Sequence, residues 1–130
     1  LELLVAAGKI DGLSPGLYRY RHAGHDLEKI ADGDLRPELH RAALSQSAVA
    51  GAPAVFIIVA VYERTMGRYG ERGIRYVHME AGHAAQNMCL QAVALGLHSV
   101  VIGAFRDRQV QEALFLPENE QPLYLIPVGR

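Results

Sequence analysis

Between residues 80 and 91, four polar side chains (Glu80, His83, Asn87 and Gln91) interrupt a run of alanine, glycine, leucine, methionine and cysteine. At 100° per residue they fall within roughly an 80° arc of a helix, so they form one narrow seam, with Gln86 pointing elsewhere. Three kinds of chemistry fit such a seam: metal ligation, acid–base work, or hydrogen bonding to neighbouring backbone. Glu80-x-x-His83 has the half-site spacing of di-iron helical bundles, which need a second copy and two further carboxylates on other helices. No second copy occurs in the chain, and the metal reading is rejected. A polar seam in so apolar a setting is then expected to secure the fold's own loops or a second subunit, because a buried polar group without a partner costs about 1–3 kcal/mol.

The other reactive residues are less organised. His22 and His25 are spaced H-x-x-H, but no third ligand lies nearby and the segment reads as a hairpin loop. Gly67, Gly70 and Gly73 in "GRYGERG" match neither the phosphate loop nor the dinucleotide fingerprint, which require a strand before and a helix after. Arg64, Arg68, Arg72 and Arg75 recur at three to four residues with Glu63 and Glu71 among them, a solvated or salt-bridged face that could also grip an anion. Ser45, Ser47 and Ser99 sit in no nucleophile elbow. Cys89 is the single cysteine, so no internal disulfide forms, and its apolar context reads as core.

The elements that must position these residues alternate between two periods. Residues 1–7, 16–21, 54–62, 98–105 and 121–129 read as strands. Of these, 54–62 and 98–105 are apolar enough to be buried on both faces. Residues 22–26 read as a hairpin loop leading to a short segment. Helices are predicted over 35–49, over 74–95 with Gly96 as its stop, and over 107–116 with Asp107 as cap. The polar, glycine-broken stretch 63–73 is expected to be a loop with at most one helical turn. The pattern predicts an α+β fold with a mixed sheet.

Composition fits one domain. The chain has 130 residues, half of them hydrophobic, with 13 basic against 14 acidic residues and a net charge of -1. That balance gives no electrostatic footprint for nucleic acid or anionic membranes. No apolar run reaches the ~20 residues that span a bilayer, so a cytoplasmic protein is expected. The chain opens on Leu1 inside a strand-like run, and the natural polypeptide is expected to begin earlier.

The segments "GLSPGLYRYRHAGHDLEKI", "RYGERGIRYVHMEAGHAAQNMCLQAVALGLHSVVIGAF" and "LYLIPVG", in this order, resemble the nitroreductase-like flavoproteins. Within them the resemblance is closest to the SagB/ThcOx-type dehydrogenases, which include oxidases of azoline rings in modified peptides. It covers essentially the whole chain.

The resemblance implies a mainly antiparallel sheet packed with helices, a long central helix, and an intertwined homodimer with FMN between the subunits. It implies an FMN-dependent oxidoreductase that passes a hydride through flavin N5 between NAD(P)H or an organic donor and a small-molecule or peptide substrate. The alternative is a truncated or degenerate nitroreductase-like module that dimerises or binds ligand without turnover.

By the same resemblance, Gly103 and Ala104 bring backbone N–H to the reactive flavin edge, and Arg130 faces the FMN phosphate. Arg68 and Tyr69 match a Lys-Tyr pair that abstracts a proton in azoline oxidases. Arginine in the lysine's place is a poor general base, which counts against azole-forming chemistry. Glu80, His83, Asn87 and Gln91 are implied to tie the helix to loops and to the partner chain. An Arg-x-Ser-x-Arg-like phosphate clamp is implied upstream of Leu1, so residues 1–130 are expected to be one domain without that segment.

Overall fold

The computed structural model describes residues 1–130. Six strands form one sheet: β1 (Glu2–Ala7), β2 (Gly16–Arg21), β3 (Asp26–Asp32), β4 (Ala54–Ala60), β5 (His98–Ser99) and β6 (Gln121–Gly129). Their order is β3-β2-β1-β4-β6-β5, and every pairing is antiparallel. The expected α+β class holds, with no parallel pair in the sheet.

Five helices accompany the sheet: α1 (Arg36–Ala42), α2 (Ser47–Gly51), α3 (Tyr62–Tyr69), α4 (Arg72–Ala94) and α5 (Asp107–Ala113). The central strand β4 shows why its sequence is apolar throughout. Val55, Ile57 and Val59 point into the main core with Leu39, Val49, Val110, Leu114 and Leu125, which is supplied by α1, α2 and α5. Phe56 and Ile58 point the other way, toward Ala81, Ala85 and Ile126. The period of two puts alternate residues on opposite faces, and both faces are covered.

Three expectations need correcting. Residues 63–73 are not a loop: α3 runs to Tyr69, Gly70 turns the chain at φ 59°, and α4 starts at Arg72. A Cβ at Gly73 would lie 3.0–3.1 Å from backbone of Thr65 and Met66, so this glycine lets the two helices meet closely. The glycine spacing that looks like loop punctuation is thus the joint of a helical hairpin.

Second, the helix expected over 35–49 is two helices. Leu44 and Ser45 both take φ 57°, and Ser45 N–H donates to the His40 carbonyl at 2.9 Å. Third, the strand expected over 98–105 reduces to the two residues of β5 and an isolated bridge at Ile102. Val100 and Val101 are exposed rather than buried. The short segment after the hairpin loop is the edge strand β3.

The long helix α4 ends as its sequence foretells. Gly96 (φ 68°) donates to Val93, and Leu97 donates to Ala92 at 2.8 Å, the paired bonds of a Schellman ending.

One charged residue is buried, Arg36 at 8 % exposure. It donates from Nε to Asp34 Oδ1 at 2.8 Å, from Nη2 to Asp34 Oδ2 at 2.6 Å, and from Nη1 to the Ala52 carbonyl at 2.7 Å. Its guanidinium lies against Gly8, where a Cβ would fall 1.9 Å from Cζ. This clamp ties α1 to the end of α2 and to β1.

Arg36→Met is expected to cost about 2–3 kcal/mol in urea unfolding, because it strands a carboxylate and a carbonyl. The Arg36 hydrogen bond, outweighing burial, holds the Asp34 carboxyl below the ordinary carboxylate range. A lowered folded value means the contribution is present above pH ~4 and is lost as pH falls through the folded value. Asp34→Asn is expected to flatten the acid limb of Tm against pH below pH ~4 and leave its neutral slope unchanged.

Candidate functional site

The segment after β5 is irregular backbone held at defined points. Ile102 exchanges both bonds with Leu125, at 2.8 and 3.0 Å, and Arg106 N–H donates to the Ala42 carbonyl at 2.9 Å. Between these pins, Gln46 Nε2 donates to the Ala104 carbonyl at 2.8 Å. The N–H groups of Gly103, Ala104 and Phe105 donate to no backbone carbonyl. Gly103 and Ala104 are exposed. On exposed, pinned backbone these donors are left to water and are available to a ligand. They form a ready edge for an acceptor-rich ligand.

Arg130 is exposed at the end of β6. It lines an open cleft of about 370 Å³ with Gly51, Pro53, His98, Ser99 and Val100. Gly103 stands beside the Tyr124 ring, where an added Cβ would lie 3.6 Å from Cε1, whereas Arg130 follows the Gly129 that pairs with His98. The two positions therefore stand at opposite ends of the β5–β6 edge. Unpaired N–H donors at one place and a cation at the other are the donor types that a flavin ring edge and a phosphate would need.

Arg68 and Tyr69 lie at the end of α3. The Arg68 guanidinium sits 5.3 Å from the Tyr69 ring centroid, Tyr69 meets Tyr76 edge-on at 5.2 Å, and Arg72 lies 5.9 Å from the Tyr76 ring. Stacking on tyrosine leaves the in-plane N–H donors of each arginine available. No hydrogen bond or ring contact joins this cluster to Gly103, Ala104 or Arg130 within one chain.

The seam of α4 does not do what its sequence implies for the chain's own loops. Glu80, His83, Asn87 and Gln91 are exposed and bond no loop of the same chain. The helix buries only a narrow stripe, Gly73, Val77, Ala81, Ala85 and Ala92, against the sheet. Met79 (53 % exposed), Leu90 (59 %) and Val93 (71 %) project from the side opposite that stripe. These side chains form an apolar face of α4 that the chain itself does not cover.

Three side-chain contacts escaped the sequence. Gln46 carries no motif; only the corner at Leu44–Ser45 directs it to Ala104. Tyr62 and His78 meet at 2.6 Å between hydroxyl and Nε2, with rings edge-on at 5.6 Å. Burial and the charge of Asp107 push the Tyr62 phenol above its ordinary value. His25, assigned to a hairpin loop, bonds the Tyr20 hydroxyl through Nδ1 at 2.9 Å.

The pattern of the nitroreductase family matches residues 3–130. The protein MJ1384 of Methanocaldococcus jannaschii, which carries a nitroreductase name, is 48% identical over 130 residues, covering 100% of this chain and 65% of its own length. The trifolitoxin operon protein TfxC of Rhizobium leguminosarum bv. trifolii is 30% identical over 132 residues, covering 97% of this chain and 36% of its own. The chain therefore spans less than two thirds of either relative.

A crystal structure from Anabaena variabilis, described as a nitroreductase, superposes with a TM-score of 0.93 at 36% identity, over 99% of this chain and 26% of that one. The Escherichia coli microcin synthetase McbBCD complex, with truncated pro-MccB17 bound, superposes at 0.85 with 21% identity over 99% of this chain and 51% of that one, a likeness of fold alone. No helix is long and apolar enough to cross a membrane.

Proposed function

The chain belongs to the nitroreductase family, and from that premise we propose that it forms the core of an FMN-dependent oxidoreductase of the SagB/ThcOx type, working as a homodimer on a small-molecule or peptide substrate. The observation that carries the reading is the pinned segment 103–105 with its unpaired N–H groups. An NADPH:FMN oxidoreductase from Vibrio harveyi, complexed with NAD+, shares the fold at a TM-score of 0.64 and 29% identity over 78% of this chain and 47% of that one, which supports both the cofactor and a nicotinamide donor. The resemblance of the segment "RYGERGIRYVHMEAGHAAQNMCLQAVALGLHSVVIGAF" to those dehydrogenases supports the SagB/ThcOx branch.

FMN, when bound, supplies the ability to accept and release a hydride, which is why no nucleophile or acid–base triad is required of the protein. The chain's residues do the rest. Gly103 and Ala104 present N–H donors with little side chain in the way. Arg130 offers a charge-assisted bond to phosphate. A guanidinium is a poor general base, so Arg68 orients an anionic or polar group rather than accepting a proton, and Tyr69 is the residue at that corner able to donate one. The uncovered side of α4 packs on a second copy, which brings the seam of Glu80, His83, Asn87 and Gln91 against partner backbone.

Titration with FMN and with riboflavin, followed by addition of NADPH or NADH without oxygen, tests this reading. Arg130→Ala is expected to weaken FMN about 10–100-fold, the loss of one charge-assisted bond of about 1.5–3 kcal/mol, and to leave riboflavin unaffected. Equal losses for the two flavins would remove Arg130 from the phosphate site. Flavin that binds but is bleached by no donor would favour the non-catalytic module.

A further inference from the structure

We propose that Gln46 is a positioning residue for the flavin edge, a role that rests on the FMN reading above. Gln46 follows two left-handed residues, Leu44 and Ser45, and caps the start of α2 with φ -69° and ψ 123°. That corner turns its side chain back across the gap between α1 and the segment at 103–105. Both amide hydrogens are used, one on the Ala43 carbonyl at 2.9 Å and one on the Ala104 carbonyl at 2.8 Å. The second bond links positions 58 residues apart in sequence.

The consequence follows from peptide geometry. The Ala104 carbonyl and the Phe105 N–H belong to one planar trans peptide and point in opposite directions. A carbonyl aimed at Gln46 therefore fixes the Phe105 N–H to face away from the α1–α2 corner, where it donates to no backbone acceptor. Without Gln46 this peptide is held only through its neighbours, Ile102 on one side and Arg106 on the other. A donor free to rotate stabilises neither oxidation state of a flavin selectively, whereas a fixed one favours the state with more negative charge at that edge.

The test uses Gln46→Met, which keeps the side-chain length and removes the donor, and Gln46→Glu, which puts a carboxylate against two carbonyls. Two measurements are made on each: the backbone amide resonances of residues 103–105 in the flavin-free chain, and the two-electron potential of bound FMN. In both variants the Phe105 amide is expected to move or broaden while the Ile57 and Leu125 amides stay in place. The ratio of affinities for reduced and oxidised FMN is expected to change at least threefold, where a tenfold change reads as about 30 mV.

Unmoved 103–105 amides would overturn the positioning role outright. Moved amides with an unchanged potential would overturn its bearing on the flavin and leave the FMN reading standing. Failure of the unmodified chain to bind FMN would overturn both.

Discussion

Leu90→Asp combined with Val93→Asp is expected to convert the protein into a folded monomer that no longer retains FMN. Both side chains are more than half exposed on α4 and lie opposite the stripe of Val77, Ala81, Ala85 and Ala92 that packs on the sheet. The substitutions therefore leave the chain's own core untouched. In a dimer built on that side of the helix, two carboxylates per subunit enter an apolar contact, each costing several kcal/mol in lost burial and desolvation. Dimer affinity is expected to fall by at least two orders of magnitude, about 3 kcal/mol. Sedimentation velocity gives the mass, and circular dichroism confirms the fold. A variant that remains dimeric would place the interface elsewhere and leave the apolar face of α4 without an explanation.

The second large effect is on stability. Leu125 is fully buried, pairs with Ile57 in the β4–β6 register, and bridges Ile102 through two backbone bonds. Leu125→Ala leaves a cavity in the main core at the point that anchors the segment 103–105. The expected cost is about 2–5 kcal/mol. With a slope of about 1–3 kcal/mol/M, the urea midpoint drops by roughly 1–3 M. Leu123→Ala, only partly buried and on the opposite face, is expected to cost less. Equal costs for the two would mean that the core does not divide across β4 and β6 as described.

What could be read from the sequence depended on how local its cause was. Strand β4 declared itself because β-branched residues buried on both faces leave no polar interruption. The end of α4 was legible because Gly96 is a local stop signal. Helix α3 was missed because its glycines resemble turn punctuation, and only the packing of Gly73 on Thr65 and Met66 shows their purpose.

The strand expected at 98–105 failed for a related reason. Val100, Val101 and Ile102 have β composition, but β6 gives them only a brief ladder before the chain departs toward α5. That departure leaves the N–H groups at 103–105 unpaired, so the misread element is also the candidate site. The seam on α4 was correctly located on a helix, yet its partners could not be found in this chain because its side chains face outward. Gln46 was invisible for the opposite reason: its role depends on a bond across 58 residues, which no local pattern encodes.

The central claim is that two copies of this chain hold FMN between them. It is tested most directly by sedimentation velocity in FMN-equilibrated buffer, recording the visible flavin band and the protein absorbance together. The expected result is a flavin boundary that moves with protein at twice the chain mass of 14.2 kDa. Protein sedimenting as a colourless monomer, with all flavin left behind at every concentration tested, would contradict it.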